Sequence, residues 1–193
     1  NLDPILDELR KIKSEREIEL IKKSTELQAK AIEESMRSTE AGIKPYQLEA
    51  VTKFIYQNNN YSDEAYYALI HFGPDAFKNH YHNSIRPARA GDMILMDYGP
   101  SYKYYTSDMA RMWTVNGKFN DVQRELYTFY LKYYEAILYN IEKGLTPQEV
   151  REKALPEIEE ILDSTVFSEE RFAQAAKDFV NDFRESVDNP NRG

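Results

Sequence analysis

Residues 93–111 read MILMDYGPSYKYYTSDMAR, and two features of this stretch support most of the fold assignment. An apolar run of strand length ends in Asp97 and is followed at residues 99–101 by Gly-Pro-Ser, which favours a turn. A second aspartate, Asp108, comes eleven residues after the first. If the chain turns back at residues 99–101, the flanking strands pair and both carboxylates meet at one point of a sheet. The stretch therefore predicts an antiparallel pair of strands that carries two converging aspartates.

Two facing carboxylates need a positive partner, because an ionised aspartate taken out of water alone is costly and two of them repel each other. A hard divalent ion such as Mn²⁺ or Mg²⁺ would satisfy both side chains, since such ions prefer oxygen ligands. The alternative is an ion pair between one of the aspartates and Arg111, three residues after Asp108. The spacing by itself leaves both interpretations open.

Other short patterns predict the remaining strands. The aromatic and aliphatic run Tyr66–Phe72 is typical of a strand, as is the longer segment Tyr104–Val115. Asn116-Gly117 follows that segment and favours a two-residue hairpin turn. Together with the strand Met93–Tyr98, these segments predict one antiparallel sheet.

Apolar residues recur at three- and four-residue steps on both sides of this sheet region and predict helices. Ser14 followed by Glu17 forms a capping box, which marks the start of the first long helix. The acidic C-terminal part of the chain indicates a solvated helical face, with an acidic docking surface as the alternative. The predicted helices are Ser14–Ser38, Pro45–Gln57, Asn120–Gly144, Thr146–Leu162 and Glu169–Ser186.

Composition limits the classes of function. The 193 residues correspond to about one domain and carry 33 acidic against 25 basic side chains, a formal net charge of -8. This sign disfavours binding to nucleic acid or to an anionic membrane, and no apolar run approaches the roughly 18 residues of a transmembrane helix. The absence of cysteine excludes disulfides and thiol nucleophiles. A cytoplasmic location is the default expectation, with an exported form as the alternative.

Several segments, taken together and in order, resemble a known enzyme family. They are His80-Tyr81 with Asn83, Arg89–Asp92, Met93–Gly99, Tyr105–Asp108 with Arg111, and Val115–Phe119, preceded by an opening helix that includes Leu9–Ile18. In these segments the chain is similar to the metallopeptidases of the pita-bread fold, which include aminopeptidase P, prolidase and methionine aminopeptidase. The resemblance runs from about residue 8 to about residue 155.

This resemblance implies an α+β fold of the creatinase/aminopeptidase-like type, with an antiparallel sheet flanked by helices. It implies a metal-dependent exopeptidase that hydrolyses the bond before proline, as an Xaa-Pro aminopeptidase or an Xaa-Pro dipeptidase. Asp97 would bind one of two divalent metal ions and Asp108 would bridge both. Mn²⁺ is the first expectation, with Co²⁺ or Zn²⁺ as alternatives. His80 would hydrogen-bond the substrate or the tetrahedral intermediate. The expected partners are small peptides with proline at the second position, and a homodimer is a candidate assembly.

The chain departs from the family pattern because all three of its histidines precede Asp97, so none can serve as the later histidine ligand. The later glutamates Glu157, Glu159 and Glu160 lie on an amphipathic helical stretch and are expected to face solvent. We therefore expect residues 1–193 to be a partial catalytic domain, inactive by itself, whose C-terminal strands with the remaining ligands are missing. One alternative is a non-enzymatic pita-bread binding module. The other is a metal-free creatinase-like hydrolase, and the presence of Asp97 and Asp108 argues against that second alternative.

The other histidines and the aromatic residues carry weaker expectations. His71 borders the end of a predicted strand and is expected to be structural, whereas His82 shares one side of a strand with His80 and is a candidate wall of the substrate pocket. Trp113 lies on the strand face opposite Asp108 and is expected in the core. The tyrosines near the aspartates are candidate pocket residues, namely Tyr81, Tyr98, Tyr104 and Tyr105.

Overall fold

A computed structural model of the protein describes residues 2–61, 63–78, 80–82 and 84–188. The described residues up to Phe119 form one compact unit, and those from Asn120 onward form a second. Asn83, which belongs to the histidine segment noted above, and residues 189–193 lie outside the described residues. Helices combine with antiparallel strands, so the predicted α+β class is confirmed.

Three helices begin the first unit: α1 (Asp3–Lys11), α2 (Glu15–Arg37) and α3 (Pro45–Gln57). The capping box predicted for α2 is present, with the Ser14 hydroxyl accepting from the Glu17 backbone N–H and the Glu17 carboxylate accepting from the Ser14 N–H. The opening segment Leu9–Ile18 is divided between two helices, because Ile12 is extended and Ser14 starts a new helix, as its capping box predicts. The predicted bounds of α3 are confirmed, with proline in its first turn.

Six strands form two antiparallel sheets. In chain order they are β1 (Asp63–Glu64), β2 (Leu69–Phe72), β3 (Met93–Tyr98), β4 (Pro100–Tyr102), β5 (Tyr105–Thr106) and β6 (Met109–Thr114), with a 3₁₀ helix over Gly73–Phe77 after β2. One sheet has the strand order β2-β3-β6 and the other β1-β4-β5. The predicted antiparallel sheet forms from β2, β3 and β6, whereas β5, at the start of the third predicted strand, joins a second sheet that was not predicted.

The reversal between the aspartates differs from the one predicted at residues 99–101. Pro100 starts β4, where a first-strand position tolerates its missing N–H, and the chain turns at Lys103 and Tyr104 instead. Both residues adopt the left-handed conformation, with φ of 50° and 70°, because the pairing of Tyr102 with Tyr105 leaves only two residues for the turn.

Two further strand predictions need correction, as does the expected hairpin at Asn116-Gly117. The strand expected over Tyr104–Val115 is interrupted between β5 and β6, and the strand expected from Tyr66 begins only at Leu69. The turn at Asn116-Gly117 forms, with the Gly117 N–H donating to Thr114, but it leads into a helix rather than a strand.

Burial alternates along β3 and separates the core from the face that carries Asp97. Ile94, Met96 and Tyr98 are fully buried, whereas Met93, Leu95 and Asp97 are partly exposed on the opposite face. The buried face belongs to the core of the first unit, together with Leu27 and Ala31 of α2, Leu48 and Tyr56 of α3, Ile70, Phe72, and Trp113, which confirms the core position predicted for Trp113. Asp97 is thus not a charge inside the apolar core.

The second unit consists of α4 (Asp121–Tyr139), α5 (Pro147–Ser164) and α6 (Glu170–Asp188). Its core contains Phe129, Ala136, Ala154, Ile158, Ala176, Val180 and Phe183. Helix α4 ends at Tyr139, earlier than the predicted Gly144. Glu157 and Glu160 are exposed as expected, whereas Glu159 is partly exposed and pairs with Arg184 at 2.7 Å. Within the described residues, no helix combines the length and apolar character that crossing a bilayer requires.

Candidate metal centre

Asp97 and Asp108 meet at one tyrosine. The Tyr66 hydroxyl lies 2.7 Å from Asp97 Oδ1 and 2.8 Å from Asp108 Oδ1, within hydrogen-bond distance of both carboxylates. The convergence predicted from the sequence is therefore observed, but its centre is a phenol that the sequence did not identify. Tyr66 precedes β2 and has no spacing relation to the aspartates that would have marked it.

Strand pairing brings the two carboxylates together. Strands β3 and β6 are antiparallel, with Asp97 opposite Ala110, and Asp108 lies just before the start of β6. Asp97 is partly exposed and Asp108 is exposed, so both side chains are open to solvent. Solvent can therefore reach both carboxylates, and the Tyr66 hydroxyl lies at the point where they converge.

A glycine allows the close approach of the chain segments that follow Asp97 and precede Asp108. A Cβ atom on Gly99 would overlap the backbone carbonyl oxygen of Ser107. Ser107 is held in place in turn, because its hydroxyl donates to the backbone carbonyl of Ser24 in α2 at 3.2 Å. The Ser24 hydroxyl donates to the carbonyl of Pro100 at 2.9 Å. Helix α2 thus fixes both segments next to the aspartates.

Gly99→Ala is expected to lower the free energy of unfolding by ~1–3 kcal/mol, because the methyl group must displace the backbone of Ser107. Urea denaturation of the purified chain measures this effect. Gly42→Ala serves as the comparison, since Gly42 has open space around it and carries only the cost of its φ of 96°. Equal stability of the Gly99→Ala and wild-type chains would show that Ser107 moves aside freely.

The electrostatics of the pair depend on Tyr66. Burial, followed by its hydrogen bonds to Asp97 and Asp108, raises the pKa of the Tyr66 phenol, so it remains a neutral donor at physiological pH. The alternative partner predicted from the sequence, Arg111, instead donates to the carbonyl of Ala110 at 2.7 Å. Among the described residues, no ion pair joins Arg111 to either aspartate.

The donor chemistry of the pair fits a hard divalent cation, since carboxylate oxygens are the ligands that Mg²⁺ and Mn²⁺ prefer. Asp97 and Asp108 supply too few ligands for a complete metal coordination shell. In the described part of the chain, no group of three or more His, Cys, Asp or Glu side chains could hold a metal ion. Asp97 and Asp108 would therefore supply only part of a metal-binding site.

His80 lies in a turn that follows the 3₁₀ helix, and its backbone is left-handed with a φ of 47°. The strand expected over His80–His82 is therefore wrong. The His80 side chain is exposed, and within the described ranges no hydrogen bond or ion pair links it to Asp97 or Asp108. The structure brings the two aspartates together but leaves the histidine on a separate surface turn.

His71 lies in β2 and is 2% exposed, and neither of its ring nitrogens has a hydrogen-bond partner within the described residues. Burial lowers the pKa of His71, which favours the neutral imidazole. Its ring lies near that of Tyr81, with the centroids 6.1 Å apart, and both residues line a cavity of about 160 Å³ together with His82 and Glu49. The structural role expected for His71 and the pocket role expected for His82 stay predictions.

The pocket predicted from tyrosines near the aspartates is largely wrong. Tyr98 is fully buried in the core, Tyr104 is 91% exposed at the turn, and Tyr105 donates to Glu17 of α2 at 3.0 Å. Tyr81 lines the cavity that also contains His71. Proximity in sequence misled for Tyr98, because alternate residues of a strand point to opposite faces and Asp97 lies on the other face of β3.

The amino-acid sequence of this chain is similar to those of known peptidases. The model of metallopeptidase family M24 matches residues 19–184. The Xaa-Pro aminopeptidase of Escherichia coli (strain K12) is 31% identical over 147 residues, which cover 76% of this chain and 33% of the relative. The Xaa-Pro dipeptidase of Pyrococcus horikoshii is 28% identical over 149 residues, which cover 77% of this chain and 42% of the relative. The chain thus spans between a third and about two fifths of the length of these relatives.

The fold of the chain is also similar to that of a solved aminopeptidase structure. Proline aminopeptidase P II from Yersinia pestis superimposes with a TM-score of 0.80 and 25% sequence identity, over 96% of this chain and 42% of that chain. The predicted resemblance and the predicted aminopeptidase-like, pita-bread type of α+β fold are confirmed. With a family match over most of its length and the same fold as an aminopeptidase P, this chain belongs to metallopeptidase family M24.

Proposed function

We propose that the protein carrying this chain is a metal-dependent exopeptidase that hydrolyses the peptide bond before proline, as an Xaa-Pro aminopeptidase or an Xaa-Pro dipeptidase. The observation that carries the proposal is the convergence of Asp97 and Asp108 within 2.8 Å of one hydroxyl, on a chain of family M24. The relatives named Xaa-Pro aminopeptidase and Xaa-Pro dipeptidase support the choice of substrate class. The expected substrates are small peptides with proline at the second position.

The two aspartates have distinct roles in this proposal. Asp97 binds one divalent ion, and Asp108 bridges two, with Mn²⁺ as the first candidate and Co²⁺ or Zn²⁺ as alternatives. When bound, the ions supply a water activated for attack on a peptide carbonyl. The chain's own contribution is to hold two carboxylates in one place through the pairing of β3 and β6 and the backbone contact at Gly99.

His80 is proposed to act on the substrate rather than on the metal. The resemblance of the segment His80-Tyr81 to the family's histidine segment supports a role in which the imidazole donates to the substrate carbonyl or to the tetrahedral intermediate, and the His80 side chain is exposed to solvent. Such a donor stabilises charge that develops during the reaction. His80 would then influence the rate without holding a metal ion.

The remaining metal ligands are proposed to come from chain beyond the residues described. Asp97 and Asp108 are the only carboxylates that the structure brings to this point within residues 2–61, 63–78, 80–82 and 84–188, and a binuclear site needs more ligands than two. We therefore propose that residues 1–193 form part of a catalytic domain and are inactive when isolated.

Metal removal from the full-length gene product tests the activity. After treatment with a chelator, the protein is expected to lose hydrolysis of an Xaa-Pro peptide and to recover it when Mn²⁺ is returned. A peptide with alanine in place of proline is the matched control and should be cleaved far more slowly. A protein that binds Xaa-Pro peptides but never hydrolyses them would instead favour a non-enzymatic binding module.

A further inference from the structure

The cavity of about 160 Å³ that contains His71 lies beside β2, the first strand in the sheet order β2-β3-β6. Its walls come from α3, from β2 and from the residues that follow His80, and they include Glu49, Ile70, Tyr81 and His82. His71 is 2% exposed, whereas His82 at the cavity is exposed. The cavity thus presents a buried imidazole to a molecule that enters it.

The imidazole of His71 has unused hydrogen-bonding capacity. Neither ring nitrogen has a hydrogen-bond partner within the described residues, although buried polar groups normally have one because burial removes their hydration. Burial lowers the pKa of His71, so the ring is neutral at physiological pH, with one nitrogen that donates and one that accepts. A ligand group that both donates and accepts can pair with whichever nitrogen it meets.

His71 lies on the same face of the sheet as Asp97. Leu69 is opposite Asp97 in the register of β2 and β3, and His71 follows two residues later, so both side chains point to the same side. Diagonal neighbours of this kind are roughly 7–8 Å apart. Tyr81, which lines the cavity, directly follows His80 in the chain. The cavity therefore lies about one side chain's length from the candidate metal centre.

The charged side chains at this cavity already have partners. Glu49 is paired with Lys53 at 2.7 Å. Lys78, whose ammonium lies 4.5 Å from the ring centre of Tyr81, is paired with Asp75 at 2.6 Å. A charged group that entered would lose its hydration and meet groups whose charge is already compensated. The surroundings of His71 therefore favour a neutral group that forms hydrogen bonds.

The volume of the cavity limits the size of that group. At about 30 Å³ for each water, 160 Å³ corresponds to roughly five water-sized groups, which suits the side chain of glutamine or asparagine. The amide of these side chains carries both a donor and an acceptor, as the neutral imidazole requires.

We propose that this cavity receives the side chain of the substrate residue that precedes proline, and that His71 selects a neutral amide side chain there, glutamine or asparagine, by hydrogen bonding. This inference rests on the proposed function, because it takes peptides with proline at the second position as the substrates. His71 is then a residue that determines specificity, without a part in metal binding.

The expected preference follows from the cost of leaving the buried imidazole unpaired. Methionine is flexible and unbranched like glutamine but has no donor and only a weak acceptor. The full-length gene product is therefore expected to cleave a Gln-Pro peptide with a kcat/KM about tenfold higher than that for the otherwise identical Met-Pro peptide. A Glu-Pro peptide, which is similar in shape but charged, should also be cleaved less efficiently than the Gln-Pro peptide.

Two variants separate hydrogen bonding from shape. His71→Phe keeps a ring but removes both nitrogens, so the ratio of kcat/KM for Gln-Pro over Met-Pro should fall about tenfold, to near one. His71→Gln restores a donor and an acceptor and should keep most of the preference. Because both peptides are measured on one enzyme sample, the ratio does not depend on the fraction of enzyme that is folded.

Thr114→Val is the matched control. Thr114 is a buried residue of β6 in the same sheet, and its hydroxyl has no hydrogen-bond partner within the described ranges. It does not line the cavity of His71. Since valine keeps the shape of threonine and removes only the hydroxyl, this variant should keep the wild-type ratio.

The outcomes separate this inference from the proposed function. Equal kcat/KM of the wild type for Gln-Pro and Met-Pro, or a preference for Glu-Pro, overturns the inference and leaves the proposed function intact. A glutamine preference that persists in His71→Phe overturns the role of His71. If His71→Phe does not fold, the wild-type ratio and its retention in His71→Gln decide. No hydrolysis of any Xaa-Pro peptide overturns the proposed function and this inference together.

Discussion

Replacing Asp97 and Asp108 together by asparagine is expected to abolish the peptidase activity of the full-length gene product and to remove its bound metal. Asparagine keeps the shape of each side chain but removes both negative charges, and a neutral amide is a poor ligand for a hard divalent ion. Metal content measured by mass spectrometry and hydrolysis of an Xaa-Pro peptide should fall together. The 193-residue chain, with two carboxylates only, should bind Mn²⁺ weakly before the change and not measurably after it.

A double replacement elsewhere controls for the change in charge. Asp163 and Asp182 are exposed aspartates of the second unit, and changing both to asparagine alters the net charge by the same amount. This variant should keep its metal and its activity. Tight, stoichiometric Mn²⁺ binding that persists after Asp97→Asn and Asp108→Asn would place the metal site elsewhere in the protein.

His80→Ala is expected to lower kcat on an Xaa-Pro peptide by about 10² to 10³ while metal content and fold are retained. The physical reason is that a donor to the developing charge is lost, whereas the ligands of the metal are untouched. Because His80 is exposed on a turn, its replacement leaves no cavity in the core. Steady-state kinetics, metal analysis and circular dichroism of the full-length gene product measure the three quantities.

His71→Ala provides the contrast. His71 is buried in β2, so its truncation should lower thermal stability by leaving a cavity, without a comparable fall in kcat. Full activity in His80→Ala would make His80 a structural residue. Loss of metal in that variant would make His80 a ligand.

Short sequence patterns correctly predicted the elements that are stabilised by contacts within the same segment of the chain. The capping box at Ser14 located the start of α2, and proline at residue 45 located the start of α3, because these signals satisfy backbone groups within one helical turn. The apolar run Met93–Tyr98, ended by Gly99-Pro100, identified a strand, and the structure shows that one face of it is buried. The motifs around His80, Asp97 and Asp108 identified the family, which the match to M24 confirms.

Other predictions failed where distant segments decide the conformation. The turn expected at residues 99–101 moved to Lys103 and Tyr104, because the pairing of β4 with β5 outweighs the intrinsic preference of these residues against left-handed backbone. The His80–His82 segment formed a turn rather than a strand. The residues that flank these segments in the sequence give no indication of which distant segments will pair.

By itself, the sequence determined the long helices, the central strand and the pair of aspartates, since each depends on periodicity, capping or spacing within a short window, and its resemblance to a family implied the α+β class. Only the tertiary structure places the Tyr66 hydroxyl between Asp97 and Asp108. Tyr66 is 31 residues from Asp97 and 42 from Asp108, and its hydroxyl reaches both because β2, β3 and β6 are hydrogen-bonded neighbours in one sheet. A contact of that kind arises from the packing of separate segments, so no local pattern encodes it.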